Sequence, residues 1–314
     1  MIGYLCGYLR YYYPVEFITA YLNNANNDDD INMGTNLAQQ MNISIQPIKF
    51  RHSLFKYTCD KTGIYKGLGS IKYLSEQMSR ELYELRDENF DSFIDILIRL
   101  KSTSVDSRQL EILVKLDFFK EFGDPNKLWF QVQMFDNLYG KKLIKKNKLE
   151  SLSLTEELVR KHSERETEKQ FSKLDSLGLI KDCVTSTKVM PTSLKDRIFY
   201  QGEYLGYIDL IDCNAPKTLY YVTGISGKQR IKIDLYEIYS GKTREVFMWK
   251  RDYERKPFNE KEFLTVKGLK KQNKRAPSDK INQRTGKPIW VPVQGEYEYW
   301  LAEYERGDGG YDGN

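Results

Sequence analysis

The stretch that decides the fold is IKIDLYEIY at residues 231–239, in which apolar and polar side chains alternate. Alternation with a period of two predicts a β-strand that buries one of its faces. Comparable segments follow the same rule at 219–223, 245–249, 263–268 and 289–293. Five short strands separated by turn signals predict a small antiparallel barrel in the second half of the chain.

The first half of the chain has helical rather than strand-like spacing. Residues 1–22 predict an aromatic-rich helix interrupted by Pro14, and its Tyr and Leu side chains would leave an exposed apolar patch. A short edge strand is expected at 43–48, where the alternation meets a proline. Further helices are predicted, from apolar positions that recur every three or four residues, at 32–41, 70–86, 91–100 and 107–116.

Residues 124–195 are polar and rich in Lys and Glu. We predict that residues 154–174 form a helix. This stretch begins and ends with a leucine, and the run between them would be charged on nearly every face of the helix. A helix without an apolar stripe is typical of an exposed connection between domains. This part of the chain is therefore predicted to be a polar helical linker.

Composition limits the classes of function. The chain has 314 residues, enough for one to three domains, and a net charge of +5. No apolar run is long enough to span a bilayer, and the N-terminal residues lack the pattern of a signal peptide. The sequence contains no nucleotide-phosphate loop, nucleophile elbow or zinc-protease motif. Four widely spaced cysteines suggest free thiols and a cytoplasmic location, at Cys6, Cys59, Cys183 and Cys213.

Six blocks of sequence occur in the order found in one known family. The first is YLRYYYPVEFITAYL at 8–22, and the third is IYKGLGSIK at 64–72. The chain thereby resembles the C-terminal part of the alpha subunit of bacterial or phage DNA polymerase III, a family C polymerase. The other four blocks are NISIQP at 42–47, FDSF at 90–93, SRQLEILVK at 107–115 and GEYLGY at 202–207.

The resemblance implies an α+β multidomain architecture. A helical fingers and helix-hairpin-helix module would precede a small antiparallel β-barrel of the OB type. The expected domains are a partial fingers domain at 1–60, a helix-hairpin-helix-like helical region at 61–123, the polar helical linker at 124–195, an OB-fold domain at 196–306, and a disordered tail at 307–314.

The resemblance also implies a role in DNA replication. The family's catalytic palm, with its metal-binding aspartates, precedes the fingers, so we expect DNA to be positioned for a palm supplied by another chain. No catalytic residue, metal ligand or cofactor is predicted here, and Mg²⁺ is expected only in that palm. The expected partners are DNA, the palm-bearing polymerase chain, and a sliding clamp or other replisome proteins, without a membrane.

One block departs from the family pattern. The family usually follows its Gly-Leu-Gly-x-Ile-Lys segment with a Gly-x-Gly hairpin, whereas this chain has Tyr73-Leu74-Ser75. Glycines in such a hairpin bring backbone N–H groups against a phosphate. Direct phosphate binding and a retained fold with weakened DNA contact both stay open. The DNA-binding residues predicted for this segment are Lys66, Gly67, Gly69, Ser70 and Lys72.

The predicted barrel carries a second set of DNA-binding candidates. Barrels of the OB type bind single strands through an aromatic-bearing sheet face and basic loops. Tyr221, Tyr239 and Phe247 are weighed as stacking residues beside Tyr236 and Trp249, which are the preferred pair. A basic loop is expected to begin after Val266 and to contact phosphates. Its predicted contacts are Lys267, Lys270, Lys271, Lys274 and Arg275, with Lys280, Arg284 and Lys287 contributing charge.

Two other interpretations belong to different classes. The chain could be a stand-alone DNA-binding protein derived from a polymerase, or an interaction protein that imitates a polymerase segment to occupy a clamp. Co-purification with a palm-bearing chain would separate the replicative interpretation from both.

Overall fold

A computed structural model describes residues 2–61, 63–281, 286 and 288–307 of the protein. The described residues fall into two compact units. The first unit is bounded by Met1–Thr192 with Phe199–Tyr207, and the second by Ser193–Ile198 with Ile208–Asn314. Within the described residues, no helix has both the length and the apolar character needed to cross a membrane.

Three helices open the first unit, with the predicted break at Pro14 confirmed. Helix α1 spans Ile2–Tyr12 and α2 spans Pro14–Asn23, with the proline at the first position of α2, where its missing N–H costs nothing. Helix α3 spans Asp28–Gln40, earlier than predicted, because the Asn27 side chain accepts the backbone N–H of Asp30 and caps it.

Residues 3–12 of helix α1 are all exposed, in agreement with the expected apolar patch. Tyr4 is 82% exposed, and Tyr8 packs against Tyr12 with ring centroids 4.6 Å apart. By contrast, α2 and α3 bury Ile18, Leu22 and Ala38 in a small core that also contains Ile64. The apolar side of α1 therefore has no comparable cover within the described residues.

A three-stranded sheet follows these helices. Strand β1 spans Ile45–Gln46, β2 spans Thr58–Asp60 and β3 spans Gly63–Tyr65, in the order β1-β3-β2. Strand β1 runs parallel to β3, and β2 antiparallel to it. The short strand predicted at 43–48 therefore lies at an edge of this sheet.

The main core of the first unit lies among four capped helices. Helix α4 spans Glu76–Glu84, α5 spans Phe93–Leu100, α6 spans Ser107–Lys115 and α7 spans Pro125–Leu138. Ser75, Ser92, Asp106 and Asp124 stand at their N-caps. Four phenylalanines pack at the centre, namely Phe50, Phe93, Phe118 and Phe119. The ring centroids of Phe50, Phe118 and Phe119 lie 4.9–5.9 Å from one another.

The polar segment after α7 is not a helical linker. Strand β4 spans Leu143–Lys145, α8 Glu156–Lys161, β5 Ser163–Glu166 and β6 Gln170–Leu174; α9 spans Ser176–Ser186 and α10 Leu194–Tyr204. The predicted continuous helix over 154–174 is therefore wrong. Ile144 and Phe171 are buried in the same core as the helices before them, which gives the segment an apolar anchor that its charged residues conceal.

The second unit contains a closed five-stranded barrel. Strand β7 spans Leu219–Ser226, β8 Arg230–Glu237, β9 Thr243–Trp249, β10 Phe263–Ile281 and β11 Pro288–Gly307, in the order β10-β11-β9-β8-β7. Helix α11 spans Lys250–Arg255 between β9 and β10. All strand pairs are antiparallel except β9 with β11, which are parallel, so the prediction of an antiparallel barrel holds for every pair but one.

The last two strands are much longer than predicted. The expected basic loop after Val266 is instead part of β10, which continues to Ile281 against β11. Polar residues can occupy both faces of a strand that leaves the core, so the local pattern did not indicate it. Gly307 ends β11. The remainder of the predicted tail, and the predicted cations Arg284 and Lys287, lie outside the described residues.

Candidate nucleic-acid interface

The outer face of β8 and β9 carries aromatic and cationic side chains. On β8, Ile231 and Ile233 point into the barrel core, so Arg230 and Lys232 point outward. On β9, Val246 and Met248 are buried, which turns Phe247 and Trp249 to the outside. Alternation thus places two rings and two cations on one surface.

A tilted aromatic stack forms where β11 joins this surface, with the planes of its two indoles 38° apart. Trp300 pairs with Phe247 across the parallel strands, and its ring centroid lies 4.8 Å from that of Trp249. Trp300 is 8% exposed, whereas Trp249 is 54% exposed. The buried indole therefore supports the exposed one, and Trp249 presents a ring on which a base can stack.

Arg230 completes the stack. Its guanidinium carbon lies 3.6 Å from the ring centroid of Phe247, within the range of a cation–π contact. The carboxylate of Glu298 accepts hydrogen bonds from Arg230 Nη2, at 2.5 Å, and from Trp300 Nε1, at 2.9 Å. One carboxylate thus holds both groups in place, which fixes the surface before any ligand arrives.

A cleft of about 540 Å³ opens beside the stack. Trp249 and Trp300 line one side of it. Three cations and two carboxylates also contribute to its wall, namely Arg255, Lys256, Lys270, Asp252 and Glu303. A site with aromatic walls and an excess of cations suits a nucleotide, whose base is planar and whose phosphate is negative.

Tyr236, one of the two preferred stacking residues, is not available for stacking. It is buried in a second cluster with Ile198 and Ala215, and its hydroxyl donates to the carbonyl of Leu210 at 3.0 Å. Burial, aided by the charge of Asp209, raises the pKa of the Tyr236 hydroxyl. This end of the outer face is covered by residues before β7, so the prediction for Tyr236 is wrong.

The cations predicted on β10 have different surroundings. Lys267 forms an ion pair with Glu305 at 2.6 Å, and Lys274 forms one with Glu296 at 2.8 Å. Lys271 Nζ lies 3.8 Å from the ring centroid of Tyr297. Lys270 lines the cleft and Arg275 is exposed farther along the strand. Two of the five predicted phosphate contacts are thus engaged with carboxylates.

The two glycines predicted to bind DNA in the first unit serve packing. A Cβ added at Gly67 would lie 2.5 Å from the carbonyl carbon of Lys56, and one at Gly69 would lie 2.8 Å from the carbonyl oxygen of Phe55. The N–H of Gly69 donates to that same oxygen. Close approach of two backbone segments accounts for both glycines without a phosphate.

The polar residues beside these glycines also make internal contacts. Lys72 Nζ donates to the carbonyl of Glu203 at 3.1 Å, and Lys66 Nζ lies 4.6 Å from the ring centroid of Tyr207. The hydroxyl of Ser70 donates to the carbonyl of Gly67. Lys72 and Ser70 are exposed, so contact with a phosphate stays a prediction for these side chains.

The hairpin contains a residue in the left-handed region although it lacks the glycines expected there. Tyr73 has a φ of +72°, in the left-handed region that favours glycine. The guanidinium carbon of Arg108 lies 3.6 Å from the Tyr73 ring centroid, and Gln109 Nε2 donates to the Tyr73 carbonyl. Ser75 caps α4 by accepting the N–H of Met78. These contacts hold a turn whose conformation is costly for tyrosine.

Sequence reasoning missed three contributors to the barrel surface. Arg230 and Trp300 lie on strands whose outer faces could be assigned only after pairing, and Lys256 follows a short helix that was not predicted. The alternation in EYEYWLAEYE at 296–305 was the available signal for Trp300. It went unused because no strand was predicted there.

Comparison with known proteins identifies one motif and a set of similar chains. A helix-hairpin-helix motif family matches residues 42–128. DNA polymerase III subunit alpha of Campylobacter jejuni is 29% identical over 232 residues, which cover 69% of this chain and 19% of that protein. The subunit from Thermus aquaticus is 31% identical over 131 residues, covering 41% of this chain and 11% of that protein.

The alpha subunit of Treponema pallidum gives a similar result, with 29% identity over 126 residues. The matched stretches thus span about a fifth or less of the length of these relatives. Together with the helix-hairpin-helix match, they agree with the motifs found along the first half of the chain. The chain is related to a portion of bacterial DNA polymerase III alpha subunits, and it carries a helix-hairpin-helix motif.

Proposed function

We propose that this protein binds DNA in replication and holds a single strand on the outer face of β8, β9 and β11. The observation that carries the proposal is the stack of Trp249 on Trp300, with Arg230 over the neighbouring ring of Phe247. We further propose that the barrel is of the OB type. In that fold the second and third strands present the binding face, which corresponds to β8 and β9.

The chemistry of this face suits single-stranded DNA. A base gains about 1–3 kcal/mol by stacking on an aromatic side chain, whatever its identity. The cleft-lining Lys270 provides positive charge beside the stack, whereas Lys232 forms an ion pair with Glu245 at 2.7 Å. Stacking with cations at its flanks gives affinity without sequence preference.

We propose that a separate polymerase chain supplies the catalytic palm that polymerization requires. The exposed aromatic side of α1 supports a protein partner for the first unit, since a monomeric protein rarely leaves such a patch uncovered. A sliding clamp or another replisome protein is a further partner under this proposal, and the cytoplasm is its location.

The test is a titration of a labelled single strand, about 20 nucleotides of mixed sequence, read by fluorescence anisotropy. We expect Trp249→Ala to weaken binding by roughly 5- to 100-fold, the loss of one stacked base. Phe199→Ala is the matched control, because Phe199 is a similarly exposed ring in the first unit. Equal affinities for wild type and Trp249→Ala would contradict the proposal.

A further inference from the structure

The distal parts of β10 and β11 form a two-stranded arm. Strand β10 pairs with β7 over Phe263–Thr265, and β11 pairs with β9 at Tyr299 and Trp300. Beyond those positions, among the described residues, residues 272–281 and 288–298 pair in the sheet only with each other. At about 3.3 Å per residue the arm reaches roughly 30 Å from the barrel.

Both faces of the arm are open. The register pairs Arg275 with Pro292 and Pro277 with Trp290 on one face, and Ala276 with Val291 on the other. Trp290 is 54% exposed, and Val291 on the opposite face is exposed as well. A platform for a single strand needs one face, so exposed apolar side chains on two faces call for a ligand that surrounds the arm.

The sequence of the arm and of the residues that join its strands has a net positive charge. Residues 272–298 contain five Lys or Arg against three Asp or Glu. Glu296 and Glu298 lie at the base of the arm, where they pair with Lys274 and Arg230. Arg275 and Lys280 lie farther out, and neither forms an ion pair with another described side chain. The charge favours a polyanion.

Prolines make a second protein strand a poor occupant. Pro277 on β10 and Pro288 and Pro292 on β11 have no N–H to donate to an added strand. Natural sheet edges use such prolines to prevent pairing with another copy. The arm therefore carries positive charge and apolar groups on two faces, along edges that resist extension of the sheet.

We infer that the arm enters the major groove of duplex DNA, as a site separate from the single-strand face. The major groove is about 12 Å wide and admits a two-stranded ribbon. Within it, Arg275 and Lys280 would reach phosphates, while Trp290 and Val291 would contact base edges and methyl groups on the two sides. The inference rests on the proposed function for the DNA class of ligand, and it assigns the duplex to the arm.

The test compares a blunt duplex with a single strand of the same sequence. We expect the double variant Arg275→Ala/Lys280→Ala to weaken duplex binding and to flatten the slope of log affinity against log salt by about two. Trp290→Ala should weaken duplex binding roughly tenfold, because part of an indole is no longer buried. Neither variant should change single-strand affinity. Methylation of guanine N7, which lies in the major groove, should lower duplex affinity.

The control is Lys188→Ala/Lys195→Ala, which removes the same charge from exposed positions outside the arm. Thermal melting of every variant checks that the barrel is folded. Unchanged duplex affinity in both arm variants, an equal loss on the single strand, or a change in oligomeric state instead of DNA affinity would overturn the inference. If Trp249→Ala weakens single-strand binding while both arm variants bind the duplex with normal affinity, the proposed function stands and the arm is not part of it.

Discussion

The hairpin segment at 64–76 matches a known sequence motif, whereas the outer face of the barrel, formed by β8, β9 and β11, has the more open candidate binding site. The hairpin segment lies inside the helix-hairpin-helix match, and its motif was readable from sequence. Yet Gly67 and Gly69 pack against backbone, and Lys72 donates to a carbonyl of its own unit. The barrel face lies outside that match but presents Trp249 and a cleft of about 540 Å³.

The difference shows that a motif match can identify a turn without identifying a ligand-binding group. Tyr73 adopts the left-handed backbone conformation that favours glycine, so the turn forms here without a glycine at this position. A binding surface depends on which side chains are left exposed, and the motif does not determine that.

If the hairpin glycines serve packing, Gly67→Ala will destabilise the first unit by about 3 kcal/mol, because its Cβ would meet two backbone carbonyls. Chemical denaturation measures the loss. Gly202→Ala is the control, since nothing lies within 4 Å of the added Cβ and alanine is favoured in helix α10. Folded Gly67→Ala protein should bind a single strand normally. A selective loss of DNA affinity with unchanged stability would reverse the comparison.

Variants of Arg230 test whether the outer face of the barrel binds a single strand. Arg230→Ala should lower single-strand affinity roughly tenfold and flatten the salt slope by about 0.7, the contribution of one phosphate contact on a single strand. Arg230→Lys keeps the charge but not the planar group over Phe247, so it should restore the slope and only part of the affinity. Salt titrations of all three proteins give both quantities. Full affinity in Arg230→Ala would exclude this residue from the site.

Replacing Tyr73 by glycine should make the protein more stable. Tyr73→Gly removes a left-handed conformation that costs about 1–2 kcal/mol, and it also loses the contact with Arg108, so we expect a net gain of about 0.5–1 kcal/mol. Tyr73→Ala loses the same contact while keeping the strained φ, and should be less stable than wild type. Denaturation of the pair separates strain from packing. A Gly variant less stable than the Ala variant would show that the turn is unstrained.

The smallest expected effect is the response to acid. Hydrogen bonds from Arg160 and then Lys146 lower the pKa of the exposed Glu166 carboxyl from 4.5 to about 2. Because the folded pKa is the lower one, this stabilisation is present above about pH 4.5 and is lost as the pH falls toward 2. Glu166→Gln should therefore flatten the melting temperature against pH in that window. At pH 2 the substitution should leave the melting temperature almost unchanged. A large change there would show that Glu166 stabilises the protein in another way.

Much of this architecture could be predicted from local pattern. The period of two located β7, β8 and β9, and Pro14 located the boundary between α1 and α2. The lengths of β10 and β11 could not be predicted, because residues 270–281 have no alternation and become a strand only through pairing with β11. Likewise, residues 163–174 form strands because Phe171 reaches the core beside Ile144, a contact distant in sequence.

The candidate site was only partly predictable, as two aromatic residues illustrate. Trp249 and Tyr236 both lie on strands of the barrel, and nothing local distinguishes them. Tyr236 is covered by Leu210, Ala215 and Ile198, whereas Trp249 lies near the end of β9, where the sheet is open. Exposure of a ring was settled by segments far away in sequence.

The parallel pairing of β9 with β11 has a consequence for the synthesis of the protein. Trp249 is translated well before Trp300, its supporting ring, and the Glu298 that holds Arg230 arrives equally late. A nascent chain that has emerged only as far as β10 cannot close the barrel or assemble the stack. Since contacts between distant residues also form slowly, the aromatic stack assembles only after β11 has been synthesised and has paired with β9.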